Sequence, residues 1–319
     1  MPAFYFWKTR YALSDVDSIT LRSSQSSKIY LRFSDVDWSG AEGKILPRAT
    51  VEFGERPDST LTYVPVIFIT VRTLAQLLDS NAIEGLAQNI SRLTERLCID
   101  GGIHTQEIQI DCDWTARSRE VYFALLRAFK RQLFFKDKAL SATIRLHQVK
   151  YVAKSGIPPA DRGMLMCYNM GNTRKIGPHN SILDAEEAET YLEDIEDYPL
   201  PLDVALPLFR WSLLFRSERF VGILREVSPE DVAQAPFLRK EKGPLYRCTA
   251  DTLWRGYALQ VGDMLRTEAP SASEIQRIAR YTARHIRNRN LTVALYHLDS
   301  LTCSKYSQDE LESFFAPYR

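Results

Sequence analysis

Apolar positions recur along the chain in two rhythms: short runs of strand length, and longer stretches with apolar residues three to five apart. The strand-like runs are "FYFWKT" (Phe4 to Thr9), "KIYLRFSDVDW" (Lys28 to Trp38) and "VPVIFITV" (Val64 to Val71). They continue with "EIQIDCDWT" (Glu107 to Thr115), "LSATIRLHQV" (Leu140 to Val149) and "GMLMCYNMG" (Gly163 to Gly171). The last two are "LDVALPLF" (Leu202 to Phe209) and "LTVALYHLDS" (Leu291 to Ser300). Between most of them lie helical patterns. Leu74, Leu77, Leu78, Ile83, Leu86, Ile90, Leu93 and Leu97 mark one that ends at the "DGG" of Asp100 to Gly102. Ser118 caps the next, through Phe135. "DAEEAETYLEDI" (Asp184 to Ile195) opens with acids in its first turn, and "SQDELESFF" (Ser307 to Phe315) closes the chain.

Eight strands, mostly with helical crossovers, predict a (β/α)8 TIM barrel formed by one domain over residues 1–319. Two excursions are expected. "ATVEFGERPDSTLTY" (Ala49 to Tyr63) alternates around a Gly/Pro/Asp turn and reads as a hairpin insertion after strand two. "WSLLFRSERFVGILR" (Trp211 to Arg225) reads as a hairpin extension after strand seven. The competing architecture, an open doubly wound sheet, lacks its signature, because no glycine-rich phosphate loop follows any of the strands.

Composition changes this picture little. At 45% hydrophobic and 25% charged the chain is ordinary for a globular protein. A formal net charge of +1 argues against nucleic acid or an anionic membrane as partner. The arginine-rich stretch Arg277 to Asn290 has helical spacing of Ile278, Tyr281 and Ile286 and reads as a solvated helix face. Five cysteines without a CxxC pair give neither a disulfide framework nor a metal-ligand spacing, so no metal and no cofactor is expected. No apolar run is long enough to span a bilayer. An exported chain trimmed of its signal and a cytoplasmic chain read alike here, so both compartments stand.

Candidate chemistry concentrates at the C-terminal ends of the predicted strands, where barrels of this kind build their sites. Strand two ends in Arg32, Asp35, Asp37 and Trp38, and strand four in Asp111, Asp113 and Trp114. Strand five carries Arg145 and His147, strand six Tyr168 and Asn169, and strand eight His297 and Asp299; Trp211 follows strand seven. On strand four, period two puts Ile108, Ile110 and Cys112 on the helix side, and Gln109, Asp111 and Asp113 toward the barrel axis. Same-face neighbours lie roughly 6.5 to 7 Å apart. Two carboxylates that close raise each other's proton affinity, which suits one as proton donor while another stays ionised. Arg32 and Arg145 are the compensating charges nearby. Buried Asp–Arg pairs also occur as purely structural layers. His104, His179 and His285 read as exposed loop or helix residues.

Two of these segments carry a resemblance. "IQIDCDWT" resembles the "DxxDxDxE" fourth-strand signature of family 18 glycoside hydrolases, the chitinase-like barrels, and "MLMCYNMG" resembles their sixth-strand M-x-Y-D. The resemblance implies that Asp111 and Asp113 match the two inner aspartates and Tyr168 the substrate-contacting tyrosine, with Asn169 where the family has Asp. The family's catalytic glutamate falls on Thr115, whose hydroxyl cannot serve as the acid, and the first aspartate of the signature falls on Ile108. The chain is also similar to a group of uncharacterised bacterial barrel proteins, over "YLRFSDVDW" and "IQIDCDWT", which implies no settled activity.

The expected function is a carbohydrate-active, glycoside hydrolase-like barrel whose ligand is an oligo- or polysaccharide. Hydrolysis needs two carboxyl groups, roughly 5 to 5.5 Å apart for retention or 6.5 to 9.5 Å for inversion. Asp113 is the expected acid, with Asp111 tuning it and Asp37 or Asp299 as base or nucleophile. Tyr168, Asn169, Arg145, His147, Arg32 and Asp35 would orient the sugar, along with His297. Trp38, Trp114 and Trp211 would offer stacking faces. The alternatives are a non-catalytic glycan-binding barrel that lost its acid at Thr115, and a metal-assisted hydrolase using Asp35, Asp37, Asp111 and Asp113 as oxygen ligands.

Overall fold

The computed structural model describes residues 1–319 except Arg225, Glu226 and Arg289. Eight parallel strands form its centre: β1 (Pro2–Phe6), β2 (Lys28–Ser39), β3 (Thr62–Ile69), β4 (Glu107–Asp111), β5 (Ala139–Arg145), β6 (Arg162–Met166), β7 (Leu202–Pro207) and β8 (Val293–Tyr296). Each pairs with its sequence neighbour, and β1 pairs with both β2 and β8, so the sheet closes on itself. The architecture is a (β/α)8 barrel. β1, β3 and β6 begin and end earlier than the apolar runs suggest, and β5 stops at Arg145 because Leu146–Lys150 already turns into helix.

The strands form where the sequence supplies two apolar faces or an apolar outer face. Ile108 and Ile110 are fully buried, and the hydroxyl of Tyr122, on the helix Arg119–Arg131, sits 3.5 Å from the Ile110 carbonyl. The inner face is more polar than the branched aliphatic filling usual for such barrels. Its floor holds two ion pairs, Lys28–Glu107 (2.7 Å) and Arg162–Asp203 (2.7 Å). Above them Tyr5 stacks on Tyr30 with ring centroids 5.0 Å apart, and its hydroxyl donates to Gln109 Oε1 at 2.5 Å.

Around the ring, the helix Ser80–Gly101 ends at Gly102, whose φ of +63° takes the left-handed cap that the "DGG" break calls for. The arginine-rich segment forms the helix Ala272–His285; Arg289 lies outside the described residues. All five cysteines are free and buried. Gly163 on β6 is packed so closely that an added Cβ would stand 2.7 Å from Ile144 Cγ1 and 2.9 Å from Leu202 Cδ2. Gly163→Ala is therefore expected to destabilise the protein by about 1 to 3 kcal/mol, read as a lower urea midpoint with an unchanged slope.

Both excursions differ in extent from the sequence reading. After β2 the chain folds straight back, and Lys44–Arg48 pairs antiparallel with Asp35 to Ser39. The stretch 49–61 is instead mostly irregular, with Glu52–Phe53 paired to Arg10–Tyr11. After β7 the hairpin Trp211–Arg216 and Arg219–Leu224 is one side of a five-stranded antiparallel sheet completed by Leu238–Lys240, Leu245–Cys248 and Met264–Glu268. Arg225, the last residue of the expected hairpin, lies outside the described residues. The insertion has its own core of Leu214, Leu224, Val232, Tyr246, Leu259 and Leu265.

Candidate active site

A cleft of about 340 Å³ opens at the C-terminal mouth of the barrel. Asp111, Arg145, Met166, Tyr168, Tyr296 and His297 line it from the strand ends, with Trp7, Asn169, Phe209, Arg210, Trp211 and Ile223 around the rim. The barrel strands aim these groups by parity. On β2 the odd spacing from Arg32 to Asp35 would ordinarily put the two on opposite faces, but a bulge between Arg32 and Ser34 takes up the extra residue. Arg32 then reaches Asp35 through Nε at 2.8 Å, with a second contact from Nη2, and Asp35, Phe68 and Asp111 fall in one register across β2, β3 and β4.

Asp111 is the acid in the described lining of the cleft, and Asp35, Arg32 and Asp113 stand beside it outside that lining. Asp111 Oδ1 accepts from Thr143 Oγ1 at 2.7 Å. Burial raises its pKa to about 6, helped by the charge of Asp113, while Arg145 and the Thr143 hydroxyl pull the other way. Asp113 is exposed and gripped by Arg145, whose Nε and Nη2 lie 2.5 and 3.1 Å from its two oxygens. Burial holds the Tyr168 phenol well above its usual range, and its hydroxyl donates to Met166 Sδ at 2.9 Å. Tyr168, Tyr296, Phe209 and Trp211 form a continuous aromatic wall, with centroid separations of 5.3 to 5.6 Å. Burial pushes the His297 imidazole toward its neutral form, and Nδ1 has no hydrogen-bond partner among the described residues.

Other residues singled out by the sequence stand apart from this cleft. Asp37 accepts from Thr70 Oγ1 at 2.6 Å and is gripped by Arg72. Its pKa is lowered, first by the Thr70 hydroxyl. Asp299 caps the short helix Ser300–Cys303 and pairs with Lys8 at 2.8 Å; burial pushes its pKa up, but Lys8, the His297 charge and the Thr302 amide together bring it below the ordinary value. Trp38, half-buried on the β2 hairpin, is outside the lining. Trp114 needs correction as a stacking surface. It is 1% exposed, stacked on Tyr122 and bonded through Nε1 to the Ser155 carbonyl at 3.0 Å, so a ligand finds no face of it. His147 is carried out of the barrel by the helix that begins at Leu146 and is exposed. Thr115 is exposed and its amide donates to Ser118 Oγ at 3.0 Å.

The structure adds residues that the sequence reading passed over. Tyr296 follows Thr292 and Ala294 on the inward parity of β8, a period-two signal overlooked beside the more reactive His297. Phe209 carried no signal beyond an aromatic after a strand. The oxygen-ligand set expected for a divalent ion does not assemble. Asp35, Asp37 and Asp113 are each engaged by an arginine, and among the described residues no group of three or more His, Cys, Asp or Glu side chains has a geometry that could hold a metal.

No family model and no curated protein matches the sequence. Solved structures do match in shape along the whole chain. A chitinase from Chromobacterium violaceum superposes with a TM-score of 0.53 at 13% identity, covering 99% of both chains. The Bacillus cereus spore cortex-lytic enzyme SleL gives 0.57 at 13% identity, covering 100% of this chain and 74% of its own. An Ostrinia furnacalis group IV chitinase, solved with allosamidin, gives 0.56 at 10% identity over 99% and 97%. The fold is that of a chitinase-like barrel. Identities this low speak for the shared (β/α)8 architecture alone. Among the described residues no helix is long and apolar enough to cross a membrane.

Proposed function

We propose that the mouth of the barrel binds an oligosaccharide and hydrolyses it, with Asp111 as proton donor. The observation that carries this reading is the state of Asp111. It lies on an aromatic-walled cleft, has no cation bonded to it among the described residues, and titrates at about 6. A general acid is most effective when its pKa lies near the working pH. The roles expected for strand four are thereby exchanged. Asp113, gripped by Arg145, is the fixed charge that helps keep a proton on Asp111, and the second carboxylate comes from Asp113 or from Asp35 in the grip of Arg32. Tyr168, Tyr296, Phe209 and Trp211 supply apolar faces on which the C–H side of a pyranose packs. The neighbouring fold of a Cycas revoluta chitinase, solved with (GlcNAc)3, makes N-acetylglucosamine oligomers the first substrates to try.

A second reading, binding without turnover, is favoured by Thr115, whose side chain is no acid and whose amide is held in a turn by Ser118. Long incubation of the protein with N-acetylglucosamine oligomers and analysis of products separates the two: new reducing ends support hydrolysis, and saturable binding with none supports the binder. If hydrolysis occurs, kcat/KM is expected to fall as pH rises through about 6, because Asp111 then loses the proton it must donate. A rate that climbs across that range would remove Asp111 from the role.

A further inference from the structure

We propose that Glu268, outside the cleft lining, is a positioning residue that presents Trp211 to the ligand as a stacking platform. This inference rests on the reading of the mouth as a glycan site. Trp211 begins the insertion and stands directly across from Glu268 in the antiparallel ladder. Its indole Nε1–H, the side chain's only polar hydrogen, donates to Glu268 Oε2 at 2.7 Å. The ring can therefore offer a ligand only its faces and edge, and Phe209 takes the other contact at a centroid distance of 5.3 Å.

The acceptor is itself immobilised. Glu268 is 2% exposed, and the same Oε2 also receives the Ser181 amide at 3.0 Å and the Ser181 hydroxyl at 2.5 Å. Its Oε1 receives Arg266 Nε at 2.6 Å. Arg266 is fully buried over the Phe215 ring, and its Nη1 donates to the Lys175 carbonyl at 2.5 Å. One buried ion pair thus ties together the insertion sheet, the loop that follows β6 and the aromatic rim. A buried pair of this kind contributes little net stability against an apolar substitute, yet it selects one arrangement of the groups around it. What it selects here is the angle at which the indole faces the cleft. A hydrogen bond to a charged acceptor is short and directional, so the ring is set before any sugar arrives.

The test combines a ligand-free signal with a binding titration. In protein labelled with ¹⁵N-tryptophan, the Trp211 indole N–H, assigned by its disappearance in Trp211→Phe, is expected to exchange slowly with solvent. In Glu268→Gln that exchange is expected to accelerate at least tenfold. Calorimetric affinity for tetra-N-acetylchitotetraose is expected to drop about tenfold in Glu268→Gln and in Trp211→Phe, with the double variant no weaker than either alone, since both remove the same contact. Additive losses would overturn the proposal, because Glu268 would then act on something other than Trp211. Undiminished affinity in either single variant would do so as well. If Glu268→Gln fails to fold, the slow exchange of the wild-type Trp211 indole N–H and the affinity lost in Trp211→Phe decide, since that variant keeps both charges of the buried pair and leaves Glu268 Oε2 its two Ser181 donors. Failure of the wild type to bind would fall on the glycan reading itself, and this inference with it, whereas binding that ignores Trp211 would fall on this inference alone.

Discussion

Asp111→Asn is expected to lower turnover by roughly 10² to 10⁴-fold while leaving oligosaccharide affinity nearly intact, because it removes a transferable proton and keeps the shape and the Thr143 contact. The same change is expected to make the protein more stable at pH 7.5. The folded pKa of about 6 lies above the ordinary 3.8, so in the wild type the folded state binds the proton more tightly than the unfolded chain does. That contribution is complete below about 4 and is lost as pH rises through 6, which leaves a cost of about 1 to 3 kcal/mol at neutral pH. Asparagine has no charge to bury and escapes the cost. Thermal melts at pH 5 and pH 7.5 check this: the variant's advantage should grow with pH. A variant less stable than the wild type at pH 7.5, or one that retains full turnover, would remove Asp111 from the role of acid.

The second large effect lies at the opposite end of the barrel. Arg162→Met strips its ion partner from Asp203, a carboxylate 1% exposed that, among the described residues, otherwise accepts from the Thr292 amide at 2.6 Å. Leaving such a charge unpaired costs about 3 to 5 kcal/mol. Burial already raises the Asp203 pKa to about 6 against the pull of Arg162, and removing the guanidinium raises it further. The variant can then relieve its buried charge by taking up a proton. Urea midpoints should show a loss that is largest at pH 8 and much smaller at pH 5, and Arg162→Met combined with Asp203→Asn should recover most of it. A loss independent of pH would show that Arg162 matters through packing and not through charge.

The fold was legible because the barrel strands are separated by helical rhythms that period-two runs do not share, and because "IQID" keeps strict alternation to the end of β4. The polar side of that strand was legible for the same reason. Three features were not. The β2 bulge breaks the parity by which Arg32 and Asp35 would be sorted, so their shared face appears only once the register with β3 is seen. The apolar residues Leu146 and Val149 extend the β5 pattern, although the chain has already begun a helix, and this carried His147 into the expected site. The short strands of the insertion, Leu238–Lys240, Leu245–Cys248 and Met264–Glu268, run for only three to five residues each, which leaves no period to read. Arg266 and Glu268, two charges two residues apart, look like surface until the sheet encloses them.

The pairing of Pro2 with Val293 has a consequence for synthesis. Of the barrel strands β1 is made before the others, and one of its two flanking strands is translated some 290 residues later. At about 5 to 20 residues per second, that edge stays unpaired for roughly 15 to 60 seconds. Throughout that interval the nascent chain exposes the hydrogen-bonding groups of "PAFYF", a short aromatic segment of the kind that templates association. Expression yield should therefore respond to chaperone supply and growth temperature more steeply than the stability of the finished protein would suggest.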